Sequence, residues 1–203
     1  MTDPRIPPLP PDSPAVGAIG PIAAKGAKGI NLMATMLQNP SVYEAWRPLA
    51  RYLNSSETIS LRDRELVILR TAWLTQSEYE WGNHALVVES SGVLEDQELL
   101  SIRLGSTAPT WTATEAALLR ATEEFGSEGA ISDSTWHILR ESYSDAELVE
   151  IVVLVGFYWM LAYFARSLNI QPEGELISMF DYASLFVPSQ RGTGSGAREI
   201  DRE

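Results

Sequence analysis

Three ionisable side chains have the types and spacing that proton chemistry requires. Glu65, Glu80 and His84 lie in the stretch of residues 60–91, SLRDRELVILRTAWLTQSEYEWGNHALVVESS. Glu80 and His84 are four positions apart, which puts them one turn apart on one face of an α-helix. Carboxylates and an imidazole in an apolar setting have shifted pKa values and can exchange protons with a ligand. We call these three residues the acid–histidine cluster and predict that they form a proton-transfer site.

Two consecutive helices must position this cluster. The first is predicted from about residue 61 to residue 74, with Ser60 as its N-cap. The second is predicted from about residue 78 to residue 90 and ends before Gly92. The cluster residues share their helix faces with Leu, Ile, Ala, Trp and Val side chains. If the helices pack through these faces, the three ionisable groups meet in a mostly apolar seam.

A structural role is the alternative for each member of the cluster. Ser77 and Glu80 have the spacing of a capping box, in which Glu80 would only bond the backbone at the helix start. Glu65 would pair with Arg62 or with an arginine of another helix, and His84 would be a satisfied core residue. A closed pocket beside the cluster would favour catalysis, whereas capped and paired side chains would favour structure.

The order of these residues resembles that of a known family. The pattern ExxILRxAxLxxxEYEWxxH over residues 65–84 is similar to the carboxymuconolactone decarboxylase-like family, which includes the alkylhydroperoxidase D proteins. The resemblance covers roughly residues 29–171, through NPSVYEAW, TEAALLRATEE, ISDSTWHILRE and DAELVEIVVLVGFYWMLA. It implies an all-α, alkylhydroperoxidase D-like fold and a lyase that needs no cofactor. It also implies self-association, as a trimer or a multiple of it, or as a dimer.

The chain departs from the peroxidase branch of that family at one decisive point. In that branch a Glu precedes a Cys-x-x-Cys-x-x-x-His motif, and the resemblance places these Glu and His residues at Glu65 and His84. The two cysteine positions fall on Ser77 and Glu80, and the chain contains no cysteine. Dithiol reduction of a peroxide needs a thiolate nucleophile and a resolving thiol. We therefore expect no thiol peroxidase activity.

For a decarboxylase of this type, the resemblance implies a small lactone or unsaturated carboxylic acid that carries its own electron sink. The protein would hold the carboxylate in a dry site and protonate the dienolate left by carbon dioxide. We assign protonation to His84, its orientation or a proton relay to Glu80, and control of their charge to Glu65. Further side chains are predicted to contact the substrate: Ser77, Tyr79, Trp81, Asn83 and Arg166.

Other functions fit the same residues. An isomerase, a lactone hydrolase or a cyclase of a biosynthetic pathway would use similar proton transfers, and a non-catalytic oligomeric binding protein would keep the cluster for structure. The net charge of −12 repels nucleic acids and anionic membranes, so we expect neither as a partner. Two histidines far apart in the chain and no cysteine argue against a metal site.

The chain is predicted to be a single-domain, all-α bundle of about seven to eight helices. Residues 1–29 are a Pro/Gly-rich extended arm, residues 30–171 the helical domain, and residues 172–203 an extension whose last part we expect to be disordered. The proline-rich residues 1–21 are expected not to be helical. Further helices are predicted at residues 30–38, 42–53 with Ser41 as N-cap, 94–104, 113–125, 134–142 and 145–168.

The last predicted helix is apolar nearly all round, which indicates burial on most faces. A subunit interface would cover the aromatic side chains that one chain cannot bury. Its apolar run of residues 151–165 is shorter than the eighteen or more residues of a typical membrane span, and no signal peptide is recognisable. We therefore expect a cytoplasmic protein. On the first central helix, Arg70 is expected to form a structural ion pair.

Overall fold

The computed structural model describes residues 3–19, 30–174 and 179. The described residues form α-helices and contain no β-strand, which confirms the all-α prediction. In chain order the helices are α1 (Pro14–Gly17), α2 (Ile30–Met36), α3 (Pro40–Ser55), α4 (Leu61–Thr75), α5 (Glu78–Ser91), α6 (Asp96–Ser101), a 3₁₀ turn (Gly105–Thr107), α7 (Ala113–Glu128), α8 (Asp133–Ser142) and α9 (Asp145–Leu168). The predictions for residues 20–29 and 180–203 lie outside the described residues.

Short polar side chains begin most of these helices. Ser60 caps α4 by accepting a hydrogen bond from the backbone N–H of Asp63. Reciprocal capping boxes begin α7 and α9, where Thr112 pairs with Glu115 and Ser144 with Glu147. These local signals confirm the predicted starts of the three helices.

The structure corrects two local predictions. The N-cap of α3 is Asn39 instead of Ser41, because Pro40 occupies the first helical position, where its fixed φ angle suits the helix. The expectation that residues 1–21 cannot be helical is wrong for one turn: α1 begins at Pro14 and is capped by the Ser13 side chain. In both cases proline starts a helix, since the first turn needs no N–H at that position.

The central helix of the fold is α4. Every residue from Arg64 to Ala72 is buried, and the helix packs against α5, α7 and α9. Its turn into α5 is tight, because Gln76 adopts a left-handed conformation with φ of 55°. The sequence pattern predicted one buried stripe on α4, whereas the structure covers the helix on all sides. Any ionisable side chain on α4 therefore needs a partner inside the protein.

The longest helix, α9, is buried on one side and exposed on the other. Its outer stripe of apolar side chains is open to solvent: Val149, Val153, Met160 and Tyr163. By length and composition alone α9 could cross a membrane, but 56% of its apolar window is buried inside the protein. It packs closely on α4, as the core helix of a soluble protein does. Self-association through the outer stripe, and the cytoplasmic location, stay predictions.

Candidate active site

The acid–histidine cluster lies at the seam of α4 and α5. Nδ1 of His84 is 2.8 Å from Oε2 of Glu65, and the two side chains are 11% and 3% exposed. Nδ1 faces Glu65, and Nε2 points away from it toward Glu80. This geometry excludes one structural alternative, an ion pair between Glu65 and Arg62. Glu65 pairs with His84, whereas Arg62 pairs with Glu98 and Glu115.

Glu80 faces the other side of the same imidazole. Its Oε2 is 4.0 Å from Nε2 of His84, and the residue is only 5% exposed. Ser77 caps α5 through the backbone N–H of Glu80, but the Glu80 side chain does not return to the backbone. Oε1 of Glu80 has no hydrogen-bond partner among the described residues. The capping-box alternative therefore leaves the Glu80 carboxyl group unexplained.

Burial and charge set the protonation of the two groups. Burial raises the pKa of Glu80 to about 7, although the nearby His84 acts in the opposite direction. For His84, burial by itself lowers the pKa, but the charge and hydrogen bond of Glu65 and the charge of Glu80 raise it above its ordinary value. The cluster thus holds a carboxyl group that titrates near neutral pH beside an imidazole whose pKa is raised above its ordinary value.

A cavity of about 260 Å³ opens beside Glu80 and His84. We call it the cluster cavity. It is bounded by side chains of α2, α3, α5 and α9: Leu32, Met33, Trp46, Asn54, Tyr79, Glu80, Asn83, His84, Val87, Tyr158 and Leu161. Apolar groups from four helices form much of this wall, and polar groups lie at a few points in it. Such a cavity suits a small organic ligand with few polar atoms.

Two polar side chains from distant helices complete the wall. The Tyr158 ring meets the His84 ring edge-on, with 5.2 Å between centroids. The Tyr158 hydroxyl donates a hydrogen bond of 3.3 Å to Oδ1 of Asn54. Burial raises the pKa of Tyr158 well above its ordinary value, so the phenol stays neutral. It can therefore donate or accept a hydrogen bond at the cavity wall.

The predicted substrate contacts divide into two groups. Tyr79 and Asn83 line the cluster cavity, and Oδ1 of Asn83 has no partner among the described residues. Ser77 and Arg166 line a neighbouring cavity of about 330 Å³ instead. Trp81 is 1% exposed and packs edge-on against Trp73 in the core. The reason is helical geometry: Trp81 directly follows Glu80, and consecutive side chains diverge by about 100°.

The sequence analysis missed the contributions of α2, α3 and α9 to the wall. Trp46 and Asn54 had only a weak signal, as members of an amphipathic helix. Tyr158 had a clearer one, because its hydroxyl interrupts a long apolar run that must satisfy it somewhere. No group of three or more His, Cys, Asp or Glu side chains among the described residues is placed to hold a metal ion.

Comparisons with known proteins agree with this geometry. Residues 40–124 match the sequence model of the carboxymuconolactone decarboxylase family. An AhpD-type antioxidant defence protein of unknown function from Agrobacterium tumefaciens superposes with a TM-score of 0.61 at 25% identity, over 67% of this chain and 93% of that one. No curated protein gave a significant match.

Two further solved structures share the fold at lower identity. A peroxidase-related protein from Silicibacter sp. TM1040 has a TM-score of 0.68 at 19% identity, covering 85% of this chain and 95% of that one. The debrominase Bmp8, solved with 2,3,4-tribromopyrrole as a cysteine-to-alanine variant, has a TM-score of 0.69 at 15% identity, covering 82% and 90%. The family match supports an enzyme-like role for the matched segment. Sequence match and fold together place residues 40–124 in the carboxymuconolactone decarboxylase family, within a chain that contains no cysteine.

Proposed function

We propose that this protein is a cofactor-independent enzyme that transfers protons on a small lactone or unsaturated carboxylic acid, and that decarboxylation is its reaction. The observation that carries the proposal is the placement of Nε2 of His84. Its other ring nitrogen is held by Glu65 at 2.8 Å, and Nε2 lies toward Glu80 in the wall of the cluster cavity. A general acid must be oriented, charged near neutral pH and within reach of its ligand.

The proposed reaction balances with the groups at hand. The bond from the substrate to its carboxylate breaks, carbon dioxide leaves, and the electron pair enters the unsaturated lactone as a dienolate. Nε2–H of the His84 imidazolium then protonates the dienolate carbon. Glu80, with its pKa of about 7, returns a proton to the imidazole and exchanges with solvent between turnovers. Glu65 keeps the ring in one orientation and stabilises its charge.

The cavity's surroundings favour loss of charge from the substrate. Apolar side chains of Leu32, Val87 and Leu161 surround the polar points of the wall. A carboxylate placed there would stand close to Glu80 and with little water, both of which disfavour the anion. Its conversion into neutral carbon dioxide relieves that cost in the transition state.

The chemistry of the peroxidase and debrominase structures does not transfer directly. The debrominase was solved as a cysteine-to-alanine variant, and this chain has no cysteine to offer a thiolate. The shared fold does not name a substrate for this chain. Isomerisation or lactone opening would use the same His84 proton and is separated from decarboxylation by its products.

The test is turnover of carboxymuconolactone and related unsaturated acids in D₂O, followed as carbon dioxide release and as deuterium at the product carbon by NMR. Replacing His84 with Gln should lower the rate by about 10²- to 10⁴-fold, the usual contribution of a general acid. The melting temperature should change little, because Gln can still meet the Glu65 carboxylate with an N–H donor.

His137→Gln is the matched control. His137 lies on α8 with its side chain 81% exposed, so its replacement should leave the rate unchanged. Full activity per folded molecule of His84→Gln would overturn the proposal. Deuterium incorporation without carbon dioxide release would replace decarboxylation by isomerisation at the same site.

A further inference from the structure

A second cavity of about 400 Å³ adjoins the cluster cavity. The two share three wall residues, Met33, Trp46 and Asn54, so they meet along one boundary. A ligand that spans this boundary would reach from the cluster cavity toward α3. We call this second space the α3 cavity.

The wall of the α3 cavity carries positive charge. Arg47 and Arg51 both line it and stand four positions apart on one face of α3. No carboxylate is among the described residues that line this cavity, although the chain as a whole has a net charge of −12. The cluster cavity has the opposite character, with Glu80 in its wall and no arginine.

The guanidinium groups of Arg47 and Arg51 have N–H donors available to bind a ligand. Arg47 makes one loose ion pair of 3.5 Å with Glu44, whose side chain is 65% exposed. The Arg51 guanidinium has no ion pair or hydrogen bond within the described ranges 3–19, 30–174 and 179. Burial raises the pKa of Tyr43 in the same wall, the charges of Arg47 and Arg51 act to lower it, and that of Glu44 acts to raise it.

The boundary between the cavities also offers a hydrogen bond. The indole Nε1 of Trp46 is buried and has no acceptor among the described residues. The ring is held in place by stacking on Phe157, with 6.0 Å between centroids and 12° between planes. An unsatisfied buried donor costs free energy, and a ligand oxygen at the boundary would remove that cost. Trp46 thus points to an oxygen atom in the middle of the ligand.

We propose that the α3 cavity binds an anionic end group of the substrate through Arg47 and Arg51. This rests on the proposed function and narrows its substrate class. The substrate is an elongated molecule whose unsaturated end lies at the acid–histidine cluster and whose other end is a carboxylate or a phosphate monoester. The planar guanidinium group suits both anions, since each offers two oxygens to its paired N–H donors.

The different charges of the two cavity walls explain why the anionic end of the substrate would bind in the α3 cavity. Beside Glu80, a permanent anion meets a carboxyl group that is half ionised at neutral pH. Beside Arg47 and Arg51 the same anion gains two charge-assisted contacts and keeps access to water, because Arg51 is exposed. The pair therefore orients the substrate, with the end that must react beside the acid–histidine cluster and the end that must not react at the arginines.

Binding of defined probes tests the site without any turnover. The probes are phenylalkanoates from phenylacetate to 6-phenylhexanoate, the matching phenylalkanols, and the phosphate monoesters of those alcohols. Affinity is measured by titration calorimetry and by ligand-observed NMR. We expect one chain length at which the acid or the ester binds about tenfold or more tightly than the alcohol, as a charge-assisted contact would give. The preference should fall with added salt.

The variant Arg47→Gln/Arg51→Gln should lose the anion preference and keep the affinity for the alcohol. Retention of the alcohol affinity also shows that the variant is folded. Arg140→Gln removes an exposed arginine of α8, whose side chain is 57% exposed, and should leave the preference unchanged. Arg47→Lys/Arg51→Lys keeps the charges without the paired donors and should retain part of the preference.

The results for the two proposals separate cleanly. Two results would overturn the proposed anion site in the α3 cavity. One is equal binding of acid, ester and alcohol by the unaltered protein, and the other is an anion preference that survives Arg47→Gln/Arg51→Gln. His84→Gln should keep the anion preference in full, because it leaves the α3 cavity intact. A protein that prefers the anion but transfers no proton would contradict the proposed function alone. Whichever probe series binds more tightly, the phenylalkanoates or the phosphate monoesters, identifies the anionic group as a carboxylate or a phosphate.

Discussion

Helix α4 carries two ionised clusters with opposite properties. In the first, Arg62 donates to Glu115 at 2.7 Å and to the carbonyl of Val93 at 2.9 Å, and it also binds Glu98. The hydrogen bond from Arg62 lowers the pKa of Glu98, so the interaction favours the charged form. We call this group the arginine cluster. In the acid–histidine cluster, by contrast, the burial of Glu80 favours its neutral form.

A third site on α4 follows the pattern of the arginine cluster. Arg70 pairs with Glu123 at 2.9 Å and donates to the carbonyl of Ile102 at 2.7 Å. Glu123 accepts further hydrogen bonds from the backbone and the hydroxyl of Ser106. Both Arg70 and Glu123 are therefore fully engaged, as expected for a structural ion pair. The prediction for Arg70 is confirmed.

The comparison shows which buried charges suggest chemistry. Structural pairs on α4 satisfy both partners and line none of the cavities described here. The acid–histidine cluster sets two carboxyl groups against one imidazole, leaves Oε1 of Glu80 without a partner in the described structure, and opens on a cavity. Burial alone does not separate the two cases, since Arg64 and Arg70 are buried as well. The two cases are separated by incomplete pairing of an ionisable group beside a cavity.

Among the variants that test this comparison, the largest effect is expected for Glu65→Gln, which replaces the carboxyl group facing His84 while keeping its shape. The His84 imidazolium loses its stabilising partner, so its pKa should fall and activity should drop by about 10²-fold, the lower end of general acid catalysis. NMR titration of the histidine signals measures the pKa shift, with exposed His137 as the second signal. An unchanged His84 titration would show that Glu65 does not control the ring.

A smaller effect, on stability alone, is expected for Arg70→Met. The variant leaves Glu123 and the carbonyl of Ile102 without their donor, which should cost about 2 kcal/mol. This lies below the usual cost of breaking a fully buried pair because Glu123 is 25% exposed. Urea unfolding measures the loss, and activity per folded molecule should be unaltered. If Arg70→Met lowered activity without lowering stability, Arg70 would not be a purely structural residue, and the contrast with the acid–histidine cluster would be wrong.

The smallest effect is expected for Glu80→Gln, through the pH dependence of unfolding. The pKa of Glu80 is raised from 4.5 to about 7, so its favourable contribution is present below about pH 4.5 and is lost as the pH rises through 7. Gln stays neutral and should therefore be more stable than Glu80 above pH 7. His84, whose pKa is also raised, should account for the remaining slope. A slope identical to that of the unaltered protein would contradict the raised pKa.

Much of the fold followed from local sequence. Serine and threonine caps marked the starts of α4, α5, α7 and α9, because a side-chain oxygen can satisfy the free N–H groups of a first turn. The prediction failed where proline intervened, at α1 and at the start of α3. The prediction that α9 is buried on most faces includes a subunit interface and stays a prediction, while within one chain α4 is the more completely buried helix. Hydrophobicity indicates that a helix can be buried, and the arrangement of its neighbours decides whether it is.

The sequence by itself predicted that Glu65 and His84 would meet at one helix–helix seam if α4 and α5 packed through their apolar stripes, and the structure sets them 2.8 Å apart. It also determined the absence of thiol chemistry, because there is no cysteine. Only the tertiary structure decided that a cavity opens beside Nε2 of His84. That cavity depends on Trp46, Asn54 and Tyr158, which come from helices far apart in the chain. The shift in the pKa of Glu80 has the same origin, because desolvation is a property of the surrounding atoms and not of the residue.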